Sequence, residues 1–177
     1  NPEGTYIDLT MGGGGHTSEI LRRLGPNGHL YSFDQDPDAA ANAPTDEGFT
    51  FVASNFRFVR GAMRHRGVEQ VDGILADLGV SSHHFDAKHR GFSFRGDAQL
   101  DMRMNTRGKR TAADIVNSYD KEALARILSD YGELDTTWKI ANCIERARNI
   151  EPITTTAQLV EAVKPCTPPK DEAKFLT

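Results

Sequence analysis

Apolar positions in the first third of the chain come in short runs, each closed by a polar or glycine-rich stretch. Thr5-Tyr6-Ile7-Asp8-Leu9-Thr10 is β-branched and aromatic and ends at the glycine cluster Gly12 to Gly15. Ile20, Leu21 and Leu24 then share one helical face, with Gly25-Pro26 as the stop. Further strands are predicted at His29 to Asp34, Phe49 to Ala53 and Val71 to Leu78. The last is almost continuously apolar, as a central parallel strand should be. Strands alternating with helical stretches predict a doubly wound α/β sheet.

Beyond Gly79 the pattern changes. Residues 81–110 lack periodicity and read as a long loop, of the kind that is functional or disordered inside a compact domain. From Thr111 onward the pattern is helical. Thr111 and Asp114 form a capping arrangement, and Leu124, Ile127, Leu128 and Tyr131 line one face as far as Gly132, a C-cap. A third helical stretch covers 137–149 with Ile140 and Ile144 inward, and a fourth opens at Thr155 and is closed by Pro165. The expected layout is an α/β domain over 1–110 that carries the loop 81–110, a helical domain over 111–165, and a return segment over 166–177. Four strands would leave the apolar strand 71–78 with an unpaired edge. Either a second copy covers it, as in a homodimer, or the sheet continues in sequence outside this chain. The second is favoured, with the helical unit inserted between two halves of a sheet.

The chain has 177 residues, of which 38% are hydrophobic and 26% charged, a globular composition. No run approaches the eighteen or so apolar residues of a membrane span, so no membrane partner is expected. Cys143 and Cys166 lack metal-site spacing and read as two reduced thiols of a cytoplasmic protein, with no metal. The net charge of −4 argues against general nucleic-acid binding. Yet residues 81–110 hold Lys88, Arg90, Arg95, Arg103, Arg107, Lys109 and Arg110 against Asp86, Asp97 and Asp101. A single basic segment on an acidic chain reads either as a solvated loop or as the footprint of one anionic partner. Its Phe92 and Phe94, interleaved with the cations, suit single-stranded RNA.

The glycine cluster follows a strand and opens a helix, where backbone can approach a ligand and free N–H groups can meet an anion. Asp34 ends the next strand, roughly 20 residues on, where a carboxylate can accept both ribose hydroxyls of an adenosine. Thr17 stands where a dinucleotide loop needs its third glycine, and the triphosphate-loop ending Gly-Lys-Ser/Thr is missing. S-adenosylmethionine, an adenosine ligand without phosphates, is left as the candidate cofactor. Asp36 is expected to be solvated, and His16 to contribute backbone and packing. Asp77, at the carboxyl end of the fourth strand, is the candidate catalytic group, either accepting N–H bonds from an attacking amine or contacting only the cofactor. Ser81 and Ser82 could bond a base or simply form the turn.

These motifs together resemble one family. Asp8-Leu9-Thr10-Met11-Gly12-Gly13-Gly14-Gly15-His16-Thr17, the stretch from Asp72 to Ser82, Arg90-Gly91-Phe92-Ser93-Phe94, Leu100-Asp101-Met102-Arg103-Met104 and Tyr131-Gly132-Glu133 are similar to the ribosomal RNA small-subunit methyltransferase H (MraW) family. The resemblance implies a Rossmann-like S-adenosylmethionine methyltransferase sheet, here without its later strands, interrupted by an all-α domain that shapes an RNA pocket. It implies methylation of N4 of a cytidine in the decoding region of small-subunit ribosomal RNA, with an assembled or nearly assembled subunit as partner. Cofactor contacts would come from Gly14, Gly15, His16, Asp34, Phe56 and Asp77, and from His84, which stands where the family usually has Gln. Arg107, Lys109 and Arg110 are expected on phosphates. Arg90 and Arg103 either join them or brace the loop through Asp97 or Asp101. The competing functions are an adenosine- or RNA-binding module without catalysis and, less compatible with the glycine pattern, a nucleotide-dependent oxidoreductase.

Overall fold

The computed structural model describes residues 1–80, 85, 87–94, 96–132 and 134–167. They fall into two compact units, one drawn from residues 1–81 and 104–107, the other from 82–103 and 108–177.

The first unit is a parallel α/β sheet of Rossmann-like type. Its strands are β1 (Thr5–Asp8), β2 (His29–Asp34), β3 (Phe49–Ala53) and β4 (Gly73–Leu75), in the order β3-β2-β1-β4. All pairs are parallel, with Ile7 beside both Tyr31 and Ile74, and Leu30 beside Phe49. Helix α1 (Gly15–Leu21) links β1 to β2, and α2 (Val59–His65) precedes β4. Alternation along the strands sends Ile7, Phe33 and Val52 into one core with Met63 of α2. The strand expected over 71–78 is shorter than its pattern suggested. Only Gly73–Leu75 pair, β4 lies at the edge of the sheet, and Ile74 is 58% exposed. Its apolar run therefore lacks, among the described residues, the second neighbour that would bury it.

The second unit holds α3 (Ala112–Ser118), α4 (Lys121–Gly132), α5 (Thr137–Arg148) and α6 (Thr156–Val163). Leu124, Ile140, Ile144, Ile153 and Val163 form its core together with Leu100 from the preceding loop. Both predicted helix starts are capping boxes: Thr111 with Asp114, and Thr155 with Gln158. Tyr131 departs from the predicted face. It is 84% exposed at the end of α4, whose buried residues, Leu124 and Ala125, lie in its first turns. Cys143 and Cys166, expected as separate thiols, are joined in a disulfide with a Cα–Cα distance of 6.5 Å. Packing of α6 and the turn Lys164–Cys166 against α5 brings together thiols that are 23 residues apart in sequence.

The loop before α3 is tied down by its own polar groups. Leu100 N–H donates to Thr154 O and Thr156 N–H to Ala98 O, around an isolated Gln99–Thr155 bridge. The buried Arg90 donates from Nη2 to Arg103 O, and its own carbonyl accepts the Met102 N–H. Arg103 grips Asp101 through Nε (2.8 Å) and Nη2 (2.6 Å) and reaches Gly108 O through Nη1. Gly91 sits at φ 73°, where an added Cβ would come within 2.4 Å of Gln99 O.

Two outcomes follow from this packing. Gly91→Ala should cost about 2 kcal/mol or more in urea unfolding, since a left-handed residue acquires both strain and a backbone clash. Acid should loosen the same unit. The Asp101 carboxyl is held below its ordinary value first by the Arg103 hydrogen bond, Asp97 by the Thr155 hydroxyl and the Ala157 N–H, and Asp114 by Thr111. A carboxyl depressed in the fold stabilises it above the unfolded value, near pH 4. That contribution is lost as pH falls through the lower folded value. Protection factors for amide exchange in residues 96–103 and 108–118 should therefore fall below about pH 4, and protection that stays constant down to about pH 2 would contradict it.

Candidate cofactor-binding site

The glycine loop hangs between strand ends. Leu9 N–H donates to Leu75 O at the end of β4, and Met11 N–H donates to Phe33 O in β2. Beneath the loop lies a polar cluster that sequence reading missed. Asp8, Thr17 and Ser32 are all fully buried. Asp8 accepts the Thr10 N–H on Oδ1 (3.0 Å) and the Thr17 hydroxyl on Oδ2 (2.9 Å), and Thr17 Oγ1 lies 2.8 Å from Ser32 Oγ. The one sequence signal was Thr17 itself, a hydroxyl in place of a packing glycine. Its partners lie 9 and 15 residues away, so only the fold reveals its role.

Above the loop, Gly12 and Gly14 take left-handed φ values of 50° and 79°, and Gly14 caps α1. A Cβ on Gly14 would stand 3.3 Å from Asn42 O, whereas one on Gly13 or Gly15 would meet nothing within 4 Å. Space over those two glycines is therefore open to a ligand. Asp34 ends β2 beside the loop. Its Oδ2 accepts the Gly12 N–H (2.8 Å) and its Oδ1 the Asp36 N–H (2.9 Å). A carboxylate has about four acceptor positions, so each oxygen keeps capacity for a ribose hydroxyl. Asp36 is not solvated as expected. It is buried and caps the turn Pro37–Asn42 by accepting the Asp38 N–H, because that turn folds back over the end of β2.

Phe56 follows β3 at the start of the turn Phe56–Phe58 and is partly exposed. Asn55 caps this turn and also bonds Gln35, the residue after Asp34. Asp77 follows β4, with its N–H held by the Thr10 hydroxyl at 2.8 Å. The His16 side chain lies near that carboxylate. Its Nδ1 lies 3.8 Å from Asp77 Oδ2, with the two side chains 56% and 72% exposed. These two residues follow β1 and β4, between which the strand order reverses, and ligands of open α/β sheets bind at such a switch point.

The sheet unit thus brings together Gly14, Gly15, His16, Asp34, Phe56 and Asp77. Ser81, Ser82 and His84 lie outside the described residues. Of the expected RNA contacts, Arg90 and Arg103 are engaged by the loop that carries them. Arg107 and Lys109 are exposed, and the exposed Arg110 bonds the Tyr119 hydroxyl and lies over its ring.

The sequence profile of the MraW methylase family matches residues 1–176. Over 176 residues the chain is 57% identical to a protein of Parabacteroides distasonis named ribosomal RNA small subunit methyltransferase H, covering 99% of this chain and 58% of that protein. Relatives with the same name in Flavobacterium johnsoniae and Porphyromonas gingivalis are 53% and 49% identical, each over 99% of this chain and 58% of their own length. The chain thus spans rather more than half the length of these relatives.

Four substitutions test the loop's support without any ligand. Thr17→Val, nearly isosteric, strips the buried Asp8 of its hydroxyl donor and should lower stability by about 1–3 kcal/mol. Gly14→Ala should cost about 1–2 kcal/mol through its left-handed φ, while Gly13→Ala and Gly15→Ala stay near wild type. Urea denaturation of the four variants reads both.

Proposed function

The chain belongs to the MraW methylase family, and from that premise we propose that it binds S-adenosylmethionine and serves in methylating N4 of a cytidine in the decoding region of small-subunit ribosomal RNA. The substrate is an assembled or nearly assembled small subunit in the cytoplasm. The observation that carries the reading is the pair of carboxylates at the carboxyl ends of the strands. Asp34 is tied to the glycine loop, and Asp77 faces His16 across the switch point. Open space above Gly13 and Gly15 fits a ligand backed against the loop. A ribose, with two hydroxyls to donate, suits Asp34.

S-adenosylmethionine supplies a sulfonium methyl group when bound. Asp34 would accept the ribose hydroxyls, and the partly exposed Phe56 would offer a face to the adenine. Methyl transfer needs the attacking amine held about 3 Å from the methyl carbon, so positioning supplies much of the rate. The amine of cytosine is a weak nucleophile because its lone pair is delocalised into the ring. Asp77 would accept an N–H from it, favouring the tetrahedral nitrogen, stabilising the positive charge that builds there and taking the proton the nitrogen loses. Arg107, Lys109 and Arg110 serve as phosphate contacts.

Calorimetric titration with S-adenosylmethionine tests the cofactor, and transfer of a labelled methyl group to small ribosomal subunits tests the reaction. Asp34→Ala should weaken cofactor binding at least about tenfold, the loss of hydrogen bonds to a charged acceptor. Asp77→Asn should slow transfer about 100-fold or more while changing cofactor affinity much less. No binding by the folded chain would overturn the cofactor reading, and binding without transfer would leave an adenosine-binding module.

A further inference from the structure

Gln35 belongs to none of the motifs discussed above, yet the fold fixes its side chain beside the residues that would hold an adenosine. It follows Asp34 at the end of β2, and Asn55, which precedes Phe56, reaches it from the end of β3. The hydrogen bonds settle which way both amides point. Asn55 Oδ1 accepts the Arg57 N–H at 2.9 Å, so the donating end of Asn55 is Nδ2. That nitrogen donates to Gln35 Oε1 at 2.8 Å, which leaves Gln35 Nε2 as the outward end. Among the described residues the one acceptor for Nε2 is the Met104 thioether, 3.9 Å away. A thioether sulfur is a weak acceptor, easily exchanged for a better one. The molecule therefore holds an oriented, partly buried N–H donor whose present partner is poor.

We propose that Gln35 is a specificity residue that reads the adenine ring of the cofactor by donating from Nε2 to one of its unprotonated ring nitrogens. The inference rests on the cofactor reading above. Adenine carries such acceptors at N1, N3 and N7, and any of them is a stronger partner than sulfur. The Asn55 bond fixes the orientation of the amide, so the end it leaves for the base is the N–H donor. Asp34 on one side would bind the ribose and Phe56 on the other would stack on the base, so the ring falls between them and within reach of Gln35. Met104 yields its contact when the ring arrives and remains as an apolar neighbour.

The test is calorimetric titration of the whole chain with S-adenosylhomocysteine and with its 1-deaza, 3-deaza and 7-deaza analogues, each of which replaces one ring nitrogen by C–H. Wild type should bind one analogue about tenfold more weakly than the parent, the worth of one hydrogen bond, and the other two much like the parent. In Gln35→Ala that distinction should disappear. Gln35→Glu keeps the shape and the acceptor for Asn55 but has no N–H, so it should abolish the distinction too and decides the matter if the alanine variant fails to fold. Equal binding of all analogues by wild type, or a penalty that survives in both variants, would overturn the role of Gln35. A folded wild-type chain that binds none of the ligands would instead overturn the cofactor reading itself.

Discussion

A fully buried carboxylate at the end of β1 fastens the glycine loop and the helix that follows it to the sheet. Asp8 has no exposure to water, so its charge must be met by donors fixed in the fold. Those donors are the Thr10 N–H, at the start of the glycine loop, and the Thr17 hydroxyl, inside α1. Satisfying Asp8 therefore sets the distance between strand and helix, and with it the span the four glycines must bridge. Thr10 in turn accepts the Asp77 N–H, so the same short stretch positions the candidate catalytic carboxylate after β4.

Asp34 repeats the device one strand over. By accepting the Gly12 N–H it fastens the top of the loop to the end of β2, much as Asp8 fastens the bottom. Asp34 and Asp77 are thus each held by the loop stretch that Asp8 braces, the preorganisation a positioning-dominated reaction calls for. The Gln35–Asn55 pair extends the arrangement to the end of β3.

In the helical unit much of the charge is used within the fold. Arg103 makes a two-pronged pair with Asp101, and Arg90 is buried against the same loop. The basic character of residues 81–110 overstates what is available to an anionic partner, since two of its cations hold the loop in shape. Arg107 and Lys109 stay at the surface.

What the sequence determined alone follows from short-range chemistry. The four strands of the parallel sheet, the capping arrangement at Thr111, the helix opening at Thr155, the glycine loop and the acid at the end of β2 were all legible, because each depends on residues a few positions apart. The tertiary structure decided what depends on partners far along the chain. Asp36 proved buried under a turn, Tyr131 exposed beyond its core, and β4 shorter than its apolar run. Cys143 met Cys166, and Asp8 and Thr17 became the base of the loop. Periodicity tells which residues avoid water, but a buried charge or amide takes its role from the particular donor facing it, and only the folded chain brings that donor into place.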